Sequence, residues 1–251
     1  MNQDAALDQA EAALQRGDAA GAEQVITKQW RDLSKAPGDA LHIMAMARVT
    51  QNDFAGGEKL MRSALNAEPK SLRHNIALGH ILSAAGKHAE AVDAYTAASK
   101  IDPTWPNIFV ALSLALYNAG RPAEAERAAM EALKIPSADG WDALSCAQRA
   151  QGKAQEALQA ADEALRIDWR HLNAQNSRGA ALLMLNRPKE ALDMFDSIAA
   201  QGVEMPVLAI NRGEALEQLG RHAEARALYD DALRRWPNMP NLQERLEAKR
   251  H

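Results

Sequence analysis

Apolar and polar residues alternate along the chain with the period of an α-helix, in short runs that break at turn residues. In the stretch from Leu72 to Thr104, Asn75, Leu78, Gly79 and Leu82 share one helical face, and the run stops at Gly86, a residue suited to a left-handed C-cap. A second run follows at once. In it Ala91, Tyr95 and Ala98 recur at offsets of four and three, facing back onto the first run, and it stops at Asp102-Pro103, where a helix cannot continue. The pattern predicts a helical hairpin.

The same pattern returns up and down the chain. The Gly79 slot, where two helices cross closely, is filled by Ala10, Ala45, Ser113, Ser145, Gly179 and Gly213, all small. The Gly86 slot holds Gly17, Asn52, Gly120, Gly152, Asn186 and Gly220, all residues that tolerate a positive φ. The Ala91 slot holds Ala22, Gly57, Ala125, Ala157, Ala191 and Ala225. The bulky Tyr95 slot carries Ile26, Met61, Phe195 and Tyr229 but shrinks to Ala129 and Ala161 in two middle copies. The closing proline recurs only as Pro69 and Pro237. On these columns the unit resembles the tetratricopeptide repeat, a helix-turn-helix of about 34 residues with small, aromatic and proline residues at set places.

Seven copies are expected, near residues 3–37, 38–71, 72–105, 106–137, 138–171, 172–205 and 206–239, as one array over residues 1–251. The resemblance implies an all-α fold, an α-solenoid in which helical hairpins stack into a right-handed superhelix. Leu242 and Leu246, one turn apart among charges, predict a short amphipathic capping helix over 240–251. One step departs from the period: Gly120 to Gly152 spans 32 residues, against 34 from Gly86 to Gly120, so a turn near Ile135-Pro136 is shortened. Arg178 and Arg212 occupy a column that is leucine in the middle copies. Either their stems cover apolar surface while their heads reach water, or the helix faces are slightly rotated.

Composition narrows the function classes. Apolar residues make up 47% and aromatics only 4%, so the apolar content is mostly alanine and leucine, as close helix pairing requires. With 29 basic and 33 acidic residues the net charge is -4, which gives no footprint for nucleic acid and no polybasic membrane anchor. No stretch approaches the roughly 20 apolar residues of a membrane span, and the acidic N-terminus lacks a signal-like region. Cys146 is the one cysteine, so no internal disulfide forms. A cytoplasmic location is the expectation.

The reactive residue types form no catalytic or metal-binding motif. No phosphate-binding glycine loop, HExxH or nucleophile elbow occurs, and the seven histidines do not cluster within a helical turn. The expectation is therefore no catalytic residue, no cofactor and no metal. Arg149, one turn from Cys146, is placed to lower the thiol pKa, but a packed cysteine is the simpler reading.

In the family the first helix of each hairpin lines a concave surface that takes an extended peptide or a partner helix. The residue after each packing residue lies about 100° around the helix and forms a stripe toward that surface. From it Arg73, Ile76, His80, Asn107, Val110, Leu114, Tyr117, Arg149, Asn173, Asn176 and Leu183, with the adjacent Asn118, are the candidate partner contacts. The leucines and Tyr117 would bury apolar anchors, and the asparagines would bond an extended backbone. The competing role for each is packing against a neighbouring helix. Family members that bind acidic chaperone tails use a lysine, arginine and asparagine clamp. Here the stripe has no lysine and carries Asp39, Asp139 and Asp142, which argues against that role. The expected function is a non-enzymatic scaffold or adaptor for a protein or peptide partner. The alternatives are a regulatory or substrate-recruiting module of a transferase, oxygenase or enzyme complex, and self-association.

Overall fold

The computed structural model describes residues 2–237, and the capping helix expected over 240–251 lies outside the described residues. Among the described residues the chain forms 14 α-helices, one short 3-10 turn at Leu33–Lys35 and no strand. The fold is all-α, of the α-solenoid class. By packing it divides into two compact units, Met1–Arg121 and Pro122–His251.

The N-terminal unit stacks three hairpins and one further helix: α1 (Gln3–Gln15) with α2 (Ala19–Gln29), α3 (Gly38–Thr50) with α4 (Phe54–Ala67), α5 (Leu72–Ala84) with α6 (His88–Ile101), then α7 (Pro106–Asn118). The C-terminal unit begins with α8 (Pro122–Ala132) and stacks α9 (Ala138–Ala150) with α10 (Ala154–Ile167), α11 (Leu172–Met184) with α12 (Pro188–Ala200), and α13 (Pro206–Gln218) with α14 (His222–Arg235). Helices α7 and α8, which the repeat pattern pairs, fall in different units. Proline stands in the first turn of α7, α12 and α13, where its fixed φ suits a helix start and its missing N–H costs nothing.

Each hairpin turn closes in the way the glycine column anticipates. At the end of α5 the Gly86 N–H donates to the Ser83 carbonyl (3.1 Å) and the Lys87 N–H to the Leu82 carbonyl (2.8 Å), the bond pair that satisfies the last carbonyls of a helix. Gly86 has φ 73°, and the two asparagines of the column, Asn52 and Asn186, adopt 62° and 56°. The period did not anticipate Gly202, which sits at φ 76° just beyond α12. The turn near Ile135-Pro136 is not the shortened part: the connection 133–137 is one residue longer than its counterpart 168–171, and α8, with 11 residues against 14 in α10, is three shorter, which leaves the step two residues short.

Within a hairpin the small column and the bulky column are one contact. A Cβ added to Gly79 would lie 2.5 Å from Tyr95 Cε1, and one at Gly179 or Gly213 would strike the ring of Phe195 or Tyr229 in the same way. Phe195 and Tyr229 are among the largest fully buried side chains. Where the second slot is smaller, the first grows: Ala45 stands with Met61, and Ser145 with Ala161. Ser145 Oγ also donates to the Ala157 carbonyl at 2.8 Å, tying α9 to α10 at their closest approach. Arg178 and Arg212 are half-buried, and each carries its head back to an aspartate on the preceding helix, Asp162 at 2.6 Å and Asp196 at 2.6 Å.

Candidate functional site

In the N-terminal unit the first helices of the hairpins bring their stripe residues together. His42 and Met46 of α3, Leu72, Arg73, Ile76, Ala77 and His80 of α5, and Trp105 just before α7 line a hollow of about 470 Å³. Three of the expected contacts, Arg73, Ile76 and His80, are therefore at one place. Trp105, which the sequence marks only as a junction residue, is 42% exposed and forms part of the wall. Along α7, Asn107, Leu114 and Asn118 are exposed, while Val110 and Tyr117 are half-buried.

Arg73 is not a free cation. Its guanidinium pairs with Glu11 of α1 at 2.8 Å and Asp39 of α3 at 3.3 Å, so it ties three first helices together. Beneath it lies a nest of imidazoles that the spacing of histidines in the sequence hides. His74 is almost fully buried, with its ring 5.5 Å from that of His42 and neither of its nitrogens hydrogen-bonded. The carboxylates of Asp39 and Glu68 stand off at 3.7 and 3.9 Å. Gly38 makes room for this ring, since a Cβ there would lie 2.8 Å from His74 Cε1. Burial, helped by the charge of Arg73, pushes His42 down to about 4, so its ring is neutral at pH 7. His80 meets Tyr95 edge-on at 5.7 Å, and burial lowers its pKa also.

In the C-terminal unit the stripe is more inwardly engaged. Asp142 is buried and accepts a hydrogen bond from Ser177 Oγ at 2.6 Å across α9 and α11. Cys146 Sγ lies 3.5 Å from the same oxygen. Burial and the neighbouring Asp142 raise the thiol pKa against the opposing pull of Arg149, which leaves Cys146 a packed, unactivated thiol. Asn176 Oδ1 accepts from Asn211 Nδ2 at 2.9 Å, bridging α11 and α13. Leu183 is only 5% exposed and belongs to the core, so the packing role named as its alternative is the one it fills. Asn173 remains exposed and Arg149 half-buried. Among the described residues no group of three histidine, cysteine or carboxylate side chains is arranged to hold a metal, and no helix is long and apolar enough to cross a membrane.

Comparison with known proteins supplies the context. Two models described as tetratricopeptide repeat match the chain, one over residues 44–106, 143–206 and 204–240, the other over 3–26 and 109–129. No curated protein matches it by sequence. Among solved structures it is similar to a tetratricopeptide repeat protein from Parabacteroides merdae (TM-score 0.85, 14% identity, covering 98% of this chain and 97% of that one). It is similar to PilW, a type IV pilus biogenesis factor (TM-score 0.68, 17% identity, 83% and 98% covered). It also resembles a chain of the Cut9–Hcn1 hetero-tetramer of the APC/C (TM-score 0.70, 13% identity), of which it spans 48%.

Proposed function

The chain belongs to the tetratricopeptide repeat family, and on that premise we propose that it is a non-enzymatic scaffold or adaptor that holds an extended segment of another protein. The segment lies along the stripe of first-helix residues, and the protein acts in the cytoplasm, where a lone cysteine is at home. One observation carries the reading: apolar side chains of the first helices are left uncovered beside polar groups that can bond a backbone. Trp105 and Leu114 are 42% and 38% exposed, with Asn107 and Asn118 exposed near them on the same helix or at its start. Such surfaces, apolar anchors with a polar surround, are what partner proteins bury. Cys146, Asp142 and Ser177 are engaged with one another between α9 and α11, which supports the non-enzymatic reading. The Cut9–Hcn1 structure, a complex of two proteins, supports a partner-holding use of such an array.

The test is to recover partners on the intact protein and on a Tyr117→Ala, Asn107→Ala variant, both on α7. Both positions lie beside the packing faces, so helicity should be unchanged. Loss of an aromatic anchor commonly costs about 2 kcal/mol or more of binding energy. The expected result is loss of the partner by the variant. Equal recovery by both would move binding to another surface.

A further inference from the structure

We propose that the hollow of the N-terminal unit receives a partner segment that presents a bulky apolar side chain next to a lysine or arginine. This rests on the reading that the first-helix face holds a protein segment, and it adds the chemistry of that segment. The apolar half of the argument is geometric. The hollow is about 470 Å³, within the range of sites that enclose ligand groups, and Met46, Ile76 and Ala77 line it beside Trp105. In its wall His42 Nδ1 is sealed from solvent without a hydrogen-bond partner, a rarity for a buried polar atom.

The basic half follows from charge. The chain as a whole is nearly balanced, with 29 basic and 33 acidic residues. The surroundings of Arg73 are not: Glu11 and Asp39 both close on its guanidinium, and Glu68 stands beside the buried His74, three carboxylates about one arginine. That guanidinium is already shared between two carboxylates and offers little to an anion. His42 in the wall does not restore positive charge, because burial keeps its ring neutral at pH 7. An acidic segment would therefore meet this excess of carboxylates beside the hollow, and a basic one would meet its complement.

The experiment uses the full chain and an array of short synthetic peptides in which the apolar residue (phenylalanine, leucine or serine) and its neighbour (lysine, serine or glutamate) vary independently. Binding is read by affinity and by the indole N–H resonance of Trp105 in the ¹⁵N-labelled protein. Phenylalanine-lysine and leucine-lysine peptides are expected to bind and to shift Trp105. Replacing lysine by glutamate should weaken binding at least about tenfold, and added salt should erode the difference. Asp39→Asn should remove most of the preference for lysine. If glutamate-bearing peptides bind as well while Trp105 still shifts, the charge assignment is wrong and the first-helix reading survives. If peptides bind but leave Trp105 unmoved, the hollow is not their site and the proposal fails, while the first-helix reading survives. An array that shows no binding to the folded chain overturns the proposal.

Discussion

Gly79 and Tyr95 illustrate how much of this chain is decided by pairs of single residues. The ring fills the space that a side chain at Gly79 would need, so Gly79→Ala should cost about 1–3 kcal/mol through overpacking. Shrinking the ring as well, in Gly79→Ala, Tyr95→Leu, should return part of that cost. A double-mutant cycle by chemical denaturation measures the coupling, and simple additivity would show that the two columns are independent. His42 makes a second residue-scale prediction. Above pH about 6.5 its ring is neutral in both folded and unfolded chains. Between about 6.5 and about 4 the unfolded chain takes up a proton that the folded one refuses, so stability falls across that window and levels off below it. A pH series of unfolding curves should show a shallower fall in this window for His42→Met than for the natural chain.

At the scale of the element, the hairpin turn is the unit that the sequence displays most openly. Gly86 at φ 73° is expected to lose about 1 kcal/mol on replacement by alanine, whereas Asn52→Gly, at the equivalent place in an earlier hairpin, should be neutral or stabilising. Thermal unfolding of the two variants gives the signs directly. These columns were legible because their cause is local: a positive φ, or a contact between residues 16 apart that recurs in each copy. The imidazole nest was not legible, because His74 owes its place to Gly38, in the preceding hairpin, and no other copy repeats the pair. The ion pairs of Arg73 were hidden for a similar reason. Its carboxylates, Glu11 and Asp39, lie two hairpins and one hairpin back, and nothing in the local pattern announces that they converge. Leu183 shows the limit of helical phase as a guide, since a residue one step beyond the packing face can still be covered by the next hairpin.

For the whole molecule, the fold follows from repetition while the use of its surface follows from what repetition leaves uncovered. The seven-copy pattern predicted an all-α solenoid, which the helices and the family matches bear out, but helix phase alone could not say which stripe residues stay accessible. Leu114 and Asn173 do. The central claim is that a partner protein lies along the first helices. The measurement that tests it most directly is site-specific photocrosslinking of the full chain, with a photoreactive residue placed in turn at the exposed Asn107, Leu114 and Asn118 of α7, and at the exposed Lys59 and Asp93 on second helices of the same unit. The account predicts one protein crosslinked from the three first-helix positions and none from the other two. Crosslinks to that protein from Lys59 and Asp93, with none from Asn107, Leu114 or Asn118, would contradict it.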